Sequence, residues 1–144
     1  MPYTQNYWQG ENYNGDYIYT PELTKMIRRR LKEELPGCKF SVRGESFSGG
    51  RAIHVSLMRA NFKVFSDGRT EGYEQVNYYY IDKANYLTDK AKEVLKRVTK
   101  IVQSYNYSDC DAQIDYFDVN FYFHLSVGRW DKPLVEIAGL KCKN

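Results

Sequence analysis

The sequence predicts a single α+β domain in which an antiparallel sheet of about four strands is covered on one face by two helices, in the order α-β-β-β-α-β. Three observations carry this expectation. Two stretches repeat apolar residues at helical spacing, several others repeat them at every second position, and 144 residues suffice for one core of ordinary size. The predicted organisation is an aromatic and polar N-terminal arm over residues 1–19, followed by the domain over residues 20–144.

The arm holds Tyr3, Tyr7, Trp8, Tyr13, Tyr17 and Tyr19 among Asn, Gln, Gly and Asp, without helical or alternating period. Such a segment reads either as a loosely ordered terminus lying on the domain or as a clasp for a partner. Thr20-Pro21-Glu22 then signals a helix start, with the threonine as cap and the proline where its missing N–H costs nothing. That helix is predicted to run to Leu35, stopped by Pro36-Gly37. Leu23, Met26, Ile27, Leu31 and Leu35 share its apolar side, Lys25, Arg28, Arg29 and Lys32 the other, and Arg30 and Glu34 lie one turn apart as an expected ion pair.

Alternation follows. Cys38, Phe40 and Val42 face one way and Lys39, Ser41 and Arg43 the other; beyond the Gly-rich GESFSGG turn, Ile53, Val55 and Leu57 point inward while His54, Ser56 and Met58 point outward. A connection with a turn at Asp67-Gly68 leads to YEQVNYYYI, whose β-branched and aromatic content predicts a third strand. The second helix opens at Thr88 with Ala91, Val94, Leu95, Val98, Ile101, Val102 and Tyr105 inward, and Lys92, Lys96 and Lys100 as a basic outer face. After an acidic loop, SDCDAQID, the stretch FDVNFYFHLSVG alternates without a break: Phe117, Val119, Phe121, Phe123, Leu125 and Val127 against Asp118, Asn120, Tyr122, His124 and Ser126. PLVEIAG is expected as a short edge strand before a basic tail. The sheet face away from the helices is the expected place for function.

Composition narrows the function classes. No apolar run approaches the roughly 18 residues of a membrane span, and the N-terminus lacks the basic head and apolar stretch of a signal peptide, so a cytoplasmic protein without membrane contact is expected. Cys38, Cys110 and Cys142 are odd in number and unpaired by spacing, which speaks for reduced thiols over a disulfide framework or thiolate zinc site. Aromatics reach 16%, with 14 Tyr, a residue suited to interfaces and stacking. A net charge of +3 does not by itself imply nucleic acid.

Several segments carry a family resemblance: YTPELTKMIRRRLKEEL, PGCKFSV, the SGG turn before a strand ending VSLM, and DYFDVNFY ahead of a GRWDKP close. Together they resemble the large polyvalent-protein-associated domain family of type 29, from Tyr19 to Pro133. The resemblance implies a home in phages, plasmids and integrative elements, beside proteins delivered into a new host, and supplies no functional residues to carry over. A chain of this size with an added arm is expected to be a small accessory protein, an antagonist of host defence of the anti-CRISPR type, engaging a protein partner such as a Cas effector.

The sharpest chemical pattern is internal. His54-Val55-Ser56-Leu57 and His124-Leu125-Ser126-Val127 each read His, apolar, Ser, apolar, and they use both histidines of the chain. This is similar to the two-histidine phosphoesterases, in which one imidazole takes a proton, the other gives one, and the hydroxyls hold phosphate; imidazole suits both roles because it titrates at about 6.5. On this reading His54, Ser56, His124 and Ser126 are catalytic and act on a cyclic nucleotide or RNA end. The same residues also fit an ordinary solvated strand face, on which no residue is catalytic and recognition falls to Tyr7, Trp8, Lys39, Arg43, Tyr79, Asp118, Tyr122 and His124.

Nucleic-acid binding is a further alternative. The helix, three strands, helix order matches a double-stranded-RNA-binding domain, with Lys90, Lys92 and Lys96 near phosphates, or else bases stack on Tyr79 and Tyr122 beside Lys39 and Arg43. Asp109, Asp111, Asp115 and Asp118 lack the offsets of a calcium loop and read as turn chemistry or as a phosphate mimic toward a basic target. GESFSGG lacks the lysine and the following helix of a phosphate loop. Neither a cofactor nor a metal is expected.

Overall fold

The computed structural model describes residues 5–111 and 116–136 of the chain. Tyr3, Asp115, Cys142 and the basic tail lie outside the described residues, as do the side chains of Cys110, Asp111 and Phe117. Among the described residues, two α-helices, one 3-10 turn and nine strands make an α+β fold. No helix among the described residues is long and apolar enough to cross a membrane.

Helix α1 spans Thr20–Glu34 and buries Leu23, Ile27 and Leu31 completely, while Met26 stays at the exposed margin. Its cap differs from expectation: Tyr19 is the N-cap and makes no side-chain cap bond, while the Thr20 hydroxyl instead accepts from Arg51 Nη1 at 3.2 Å. The expected Arg30–Glu34 pair forms at 2.5 Å, and Arg30 also donates to the Tyr105 hydroxyl. Helix α2, Asp89–Gln103, is capped as read, with Thr88 Oγ1 accepting from the Ala91 amide at 3.1 Å. Its face of Ala91, Val94, Leu95, Val98, Ile101 and Val102 is buried.

β1 (Gln5–Gln9) precedes α1; between the helices run β2 (Cys38–Phe47), β3 (Gly50–Ala60), β4 (Glu71–Gly72), β5 (Glu74–Val76) and a single 3-10 turn at Ile81–Lys83. After α2 come β6 (Tyr107–Asp111), β7 (Tyr116–Val119), β8 (Tyr122–Val127) and β9 (Leu134–Glu136). The main sheet therefore has six strands where about four were expected, and it is mixed where an antiparallel one was expected. β2 and β3 form the predicted hairpin, but residues 44–47 of the expected turn continue β2, so the chain turns only at Ser48-Gly49, with Gly49 at φ +129°. β8 and β9 both run parallel to β3 on its other side, and β5 and β4 close against them antiparallel. Alternation along a strand gives the same signal for either direction of pairing; the parallel arrangement comes from the long crossover through α2.

Two further corrections have local causes. YEQVNYYYI extends only over Glu74–Val76, because the Asn77 side chain accepts from the Tyr79 amide and its carbonyl from the Tyr80 amide, a turn that outcompetes β-propensity. FDVNFYFHLSVG breaks at Asn120, whose side chain donates to the Tyr105 carbonyl at 2.9 Å and accepts from Arg51 at 2.7 Å. β7 thus leaves for a second sheet of order β1-β6-β7, and the first half of what read as an acidic loop, residues 108–111, belongs to its middle strand. The arm supplies β1 to that sheet despite its lack of period, and Gly10 is needed where the chain then crosses α2, since a Cβ there would meet the Gln103 carbonyl oxygen at 2.3 Å. β9 lies between β3 and β4 and is not at an edge.

Both helices share one core with Ile53, Val55, Leu57, Phe123, Leu125 and Val127, the apolar face of β3 and β8. Val64 and Phe65, read as plain connection, are also fully buried; their amides donate to Glu136 Oε2 at 2.8 and 3.0 Å.

Candidate functional site

The other face of β3 and β8 carries the two His-x-Ser segments side by side. The parallel register pairs His54 with His124 and Ser56 with Ser126, and β2 extends the same rows with Arg43 beside His54 and Ser41 beside Ser56. Because side chains alternate with period two, residues paired in this way project from one face at the spacing of neighbouring strands. The imidazoles lie stacked, 4.7 Å between centroids and 15° between planes, close to that spacing.

These side chains floor an open cleft of about 470 Å³, walled by Arg43, Glu45, Tyr73, Gln75, Arg129 and Trp130. Its size falls in the range of small-molecule sites. Glu45 reaches diagonally across the hairpin so that its Oε1 lies 2.8 Å from His54 Nε2, a contact that fixes the orientation of the ring. Burial, with the neighbouring His54 second and Glu45 opposing, holds His124 below the ordinary imidazole range, so His124 is neutral at pH 7.

The two serines are bonded within the floor. Ser126 Oγ donates to the Gly128 carbonyl at 2.7 Å and therefore accepts from Ser56 Oγ at 2.8 Å, and Ser56 is only 2% exposed. In this arrangement the serines fix the spacing of the two strands, while the groups that offer positive charge to the cleft are Arg43 and Arg129. Arg129 is braced by Asp131 at 3.0 Å, and Gly128 at φ +73° makes the turn that swings it over the sheet; a Cβ there would meet the Gly72 carbonyl oxygen at 2.3 Å.

The structure brings together Arg43, His54, Ser56, His124 and Ser126 and leaves the other sequence candidates elsewhere. Tyr122 lies two residues before His124 on the same face of β8, its ring 6.0 Å from the Phe47 ring. Lys39 is displaced by a bulge at Lys39/Phe40. Tyr79 belongs to the turn after β5, not to the sheet, and is 73% exposed. Tyr7, Trp8 and Asp118 belong to the second sheet, where Asp118 accepts from the Tyr107 hydroxyl at 3.0 Å. Of the basic face of α2, Lys96 pairs with Asp82 at 2.5 Å and Lys92 donates to the Asp82 carbonyl, while Lys100 is exposed. That face looks away from the core, on the far side of the helices from the cleft.

Sequence reasoning missed Glu45, Tyr73, Arg129 and Trp130. The last two stand directly after the second His-x-Ser strand, inside the GRWDKP segment. Among the described residues no three His, Cys, Asp or Glu side chains converge as a metal-holding group.

A family model described as Large polyvalent protein associated domain 29 matches residues 18–122, which include His54 and Ser56 and end two residues before His124. Neither a curated protein nor a solved structure matches the chain.

Proposed function

We propose that this chain, which belongs to the large polyvalent protein associated domain 29 family and so to the proteins associated with phages and mobile elements, hydrolyses a phosphodiester in the His54/His124 cleft. The observation that carries the reading is the in-register parallel pairing of the two His-x-Ser segments under two arginines. Chance occupancy of a solvated face does not require the only two histidines of the chain to become neighbours.

The chemistry follows from the environments. Arg43 and Arg129 draw the phosphate to the mouth of the cleft and offset its charge. His124, neutral at pH 7, takes a proton from water as the water oxygen bonds to phosphorus; the bond from phosphorus to the leaving oxygen breaks, and His54, as the general acid, delivers a proton to that oxygen. Glu45 orients the His54 ring throughout. The test is turnover of adenosine 2′,3′-cyclic phosphate by the whole chain, with loss in both H54A and H124A; retention of full activity in either variant removes the reading.

A second reading rests on different residues. Tyr7 and Trp8 are 59% and 37% exposed on a strand that β6 holds in place, an aromatic surface suited to a protein partner. On that reading the chain is a host-defence antagonist of the anti-CRISPR type. It predicts co-purification with a Cas effector that persists in H54A and fails in the Y7A/W8A double variant.

A further inference from the structure

We propose, building on the phosphodiester reading, that the substrate carries a nucleobase and that Trp130 is the platform on which that base stacks. Hydrolysis alone would accept a lipid, sugar or nucleotide diester; the wall of the cleft discriminates among them.

Trp130 is 81% exposed, the most exposed large aromatic side chain among the described residues, and it lines the cleft beside the paired histidines. It does not hang from a loose segment. Arg129 and Lys132 exchange backbone hydrogen bonds at 2.8 and 3.1 Å, clasping the turn that bears it. The indole is thereby displayed from a braced turn at the edge of a floor of imidazole and guanidinium groups. Tyr73 adds a second aromatic ring to the same wall.

A planar aromatic surface next to a phosphate-binding floor matches the two halves of a nucleotide. Base–aromatic stacking tolerates any base, because each has a π face, and larger purine rings cover more of the indole. A lipid diester would need an apolar groove for its chains, whereas the lining here is mostly polar or charged, with Arg43, Glu45, Gln75 and Arg129 in the walls above the two histidines. A cleft of about 470 Å³ has room for a single nucleotide unit with its base at the rim.

The experiment uses the whole chain with W8F as background, so that Trp130 becomes the sole indole reporter. Two probes are titrated, adenosine 2′,3′-cyclic phosphate and the base-free ribose 2′,3′-cyclic phosphate. The expected result is fluorescence quenching by the adenosine compound and at least ~10-fold tighter binding of it than of the base-free one, the scale of one stacking contact. By calorimetry, W130A is expected to bring that preference close to one, and W130F to retain part of it. Equal affinities for the two probes, or an unchanged preference in W130A, overturn the proposal. Turnover separates the two readings. Hydrolysis of both probes at equal efficiency leaves the phosphodiester reading standing and removes the base platform; Trp130-dependent binding without hydrolysis does the reverse; failure to bind either probe overturns both.

Discussion

The two faces of β3 and β8 share one backbone and differ in everything they do. On one face Ile53, Val55 and Leu57 meet Phe123, Leu125 and Val127 beneath both helices, and all six are buried. On the other, displaced by a single residue along each strand, His54 and Ser56 meet His124 and Ser126 in an open cleft. The first face supplies cohesion through apolar area, at about 25 cal/mol for each Å² removed from water. The second contributes little such area and holds its form by hydrogen bonds. The difference teaches that a two-residue period can separate stability from chemistry on the same pair of strands, so each face can be perturbed with limited effect on the other.

The largest expected effect tests the polar face. H54A and H124A should each lower turnover of a cyclic nucleotide by about 10²–10⁴-fold, the usual scale for loss of a proton-transfer group, while the denaturant midpoint moves little. A matching collapse of stability would show that the faces are not separable. Next, Leu57→Ala on the fully buried side should cost about 2–5 kcal/mol in denaturant unfolding, with rate per folded molecule preserved. Ser56→Ala tests the seam between them: it removes the donor to Ser126, and an expected loss of about 1 kcal/mol in the same assay would mark the serine pair as structural.

The smallest effect concerns pH. His124 titrates below its unfolded value, so the folded state binds the proton less readily than the unfolded chain. The stability tied to His124 is therefore complete above about pH 6.5 and is lost as pH falls through the lower folded value. Thermal melts between pH 7.5 and 5 should show this decline, and H124N should flatten it.

Much of the helical layer was legible in the chain. Thr88 caps α2 as read, and Leu23, Ile27 and Leu31 point inward as their spacing requires, since a helix bonds only within itself and its signals are local. Strand faces were legible for the same reason: alternation is local, and Val55 and Leu125 are inside. Which strand lies beside which was not. Nothing near Tyr122 to Val127 announces that it will run parallel to β3, because that depends on the path taken through α2. Asn77 and Asn120 each ended a strand that propensity would have continued, through side-chain bonds to the backbone. The candidate site divides likewise. Both His-x-Ser segments stand out in the sequence, whereas Glu45 and Trp130 join them only through a hairpin diagonal and a tight glycine turn.

The position of β8 and β9 carries a consequence for how the molecule comes into being. They are the last described strands along the chain, yet they occupy the interior of the sheet, between β3 and the β4–β5 pair. Until they arrive, β3 and the β4–β5 pair hold bare hydrogen-bonding edges toward an unfilled slot, the condition that invites neighbouring molecules to pair there. A nascent chain on the ribosome thus carries a hazard of clumping until β8 and β9 emerge, and their insertion both fills the slot and brings the second histidine to the first.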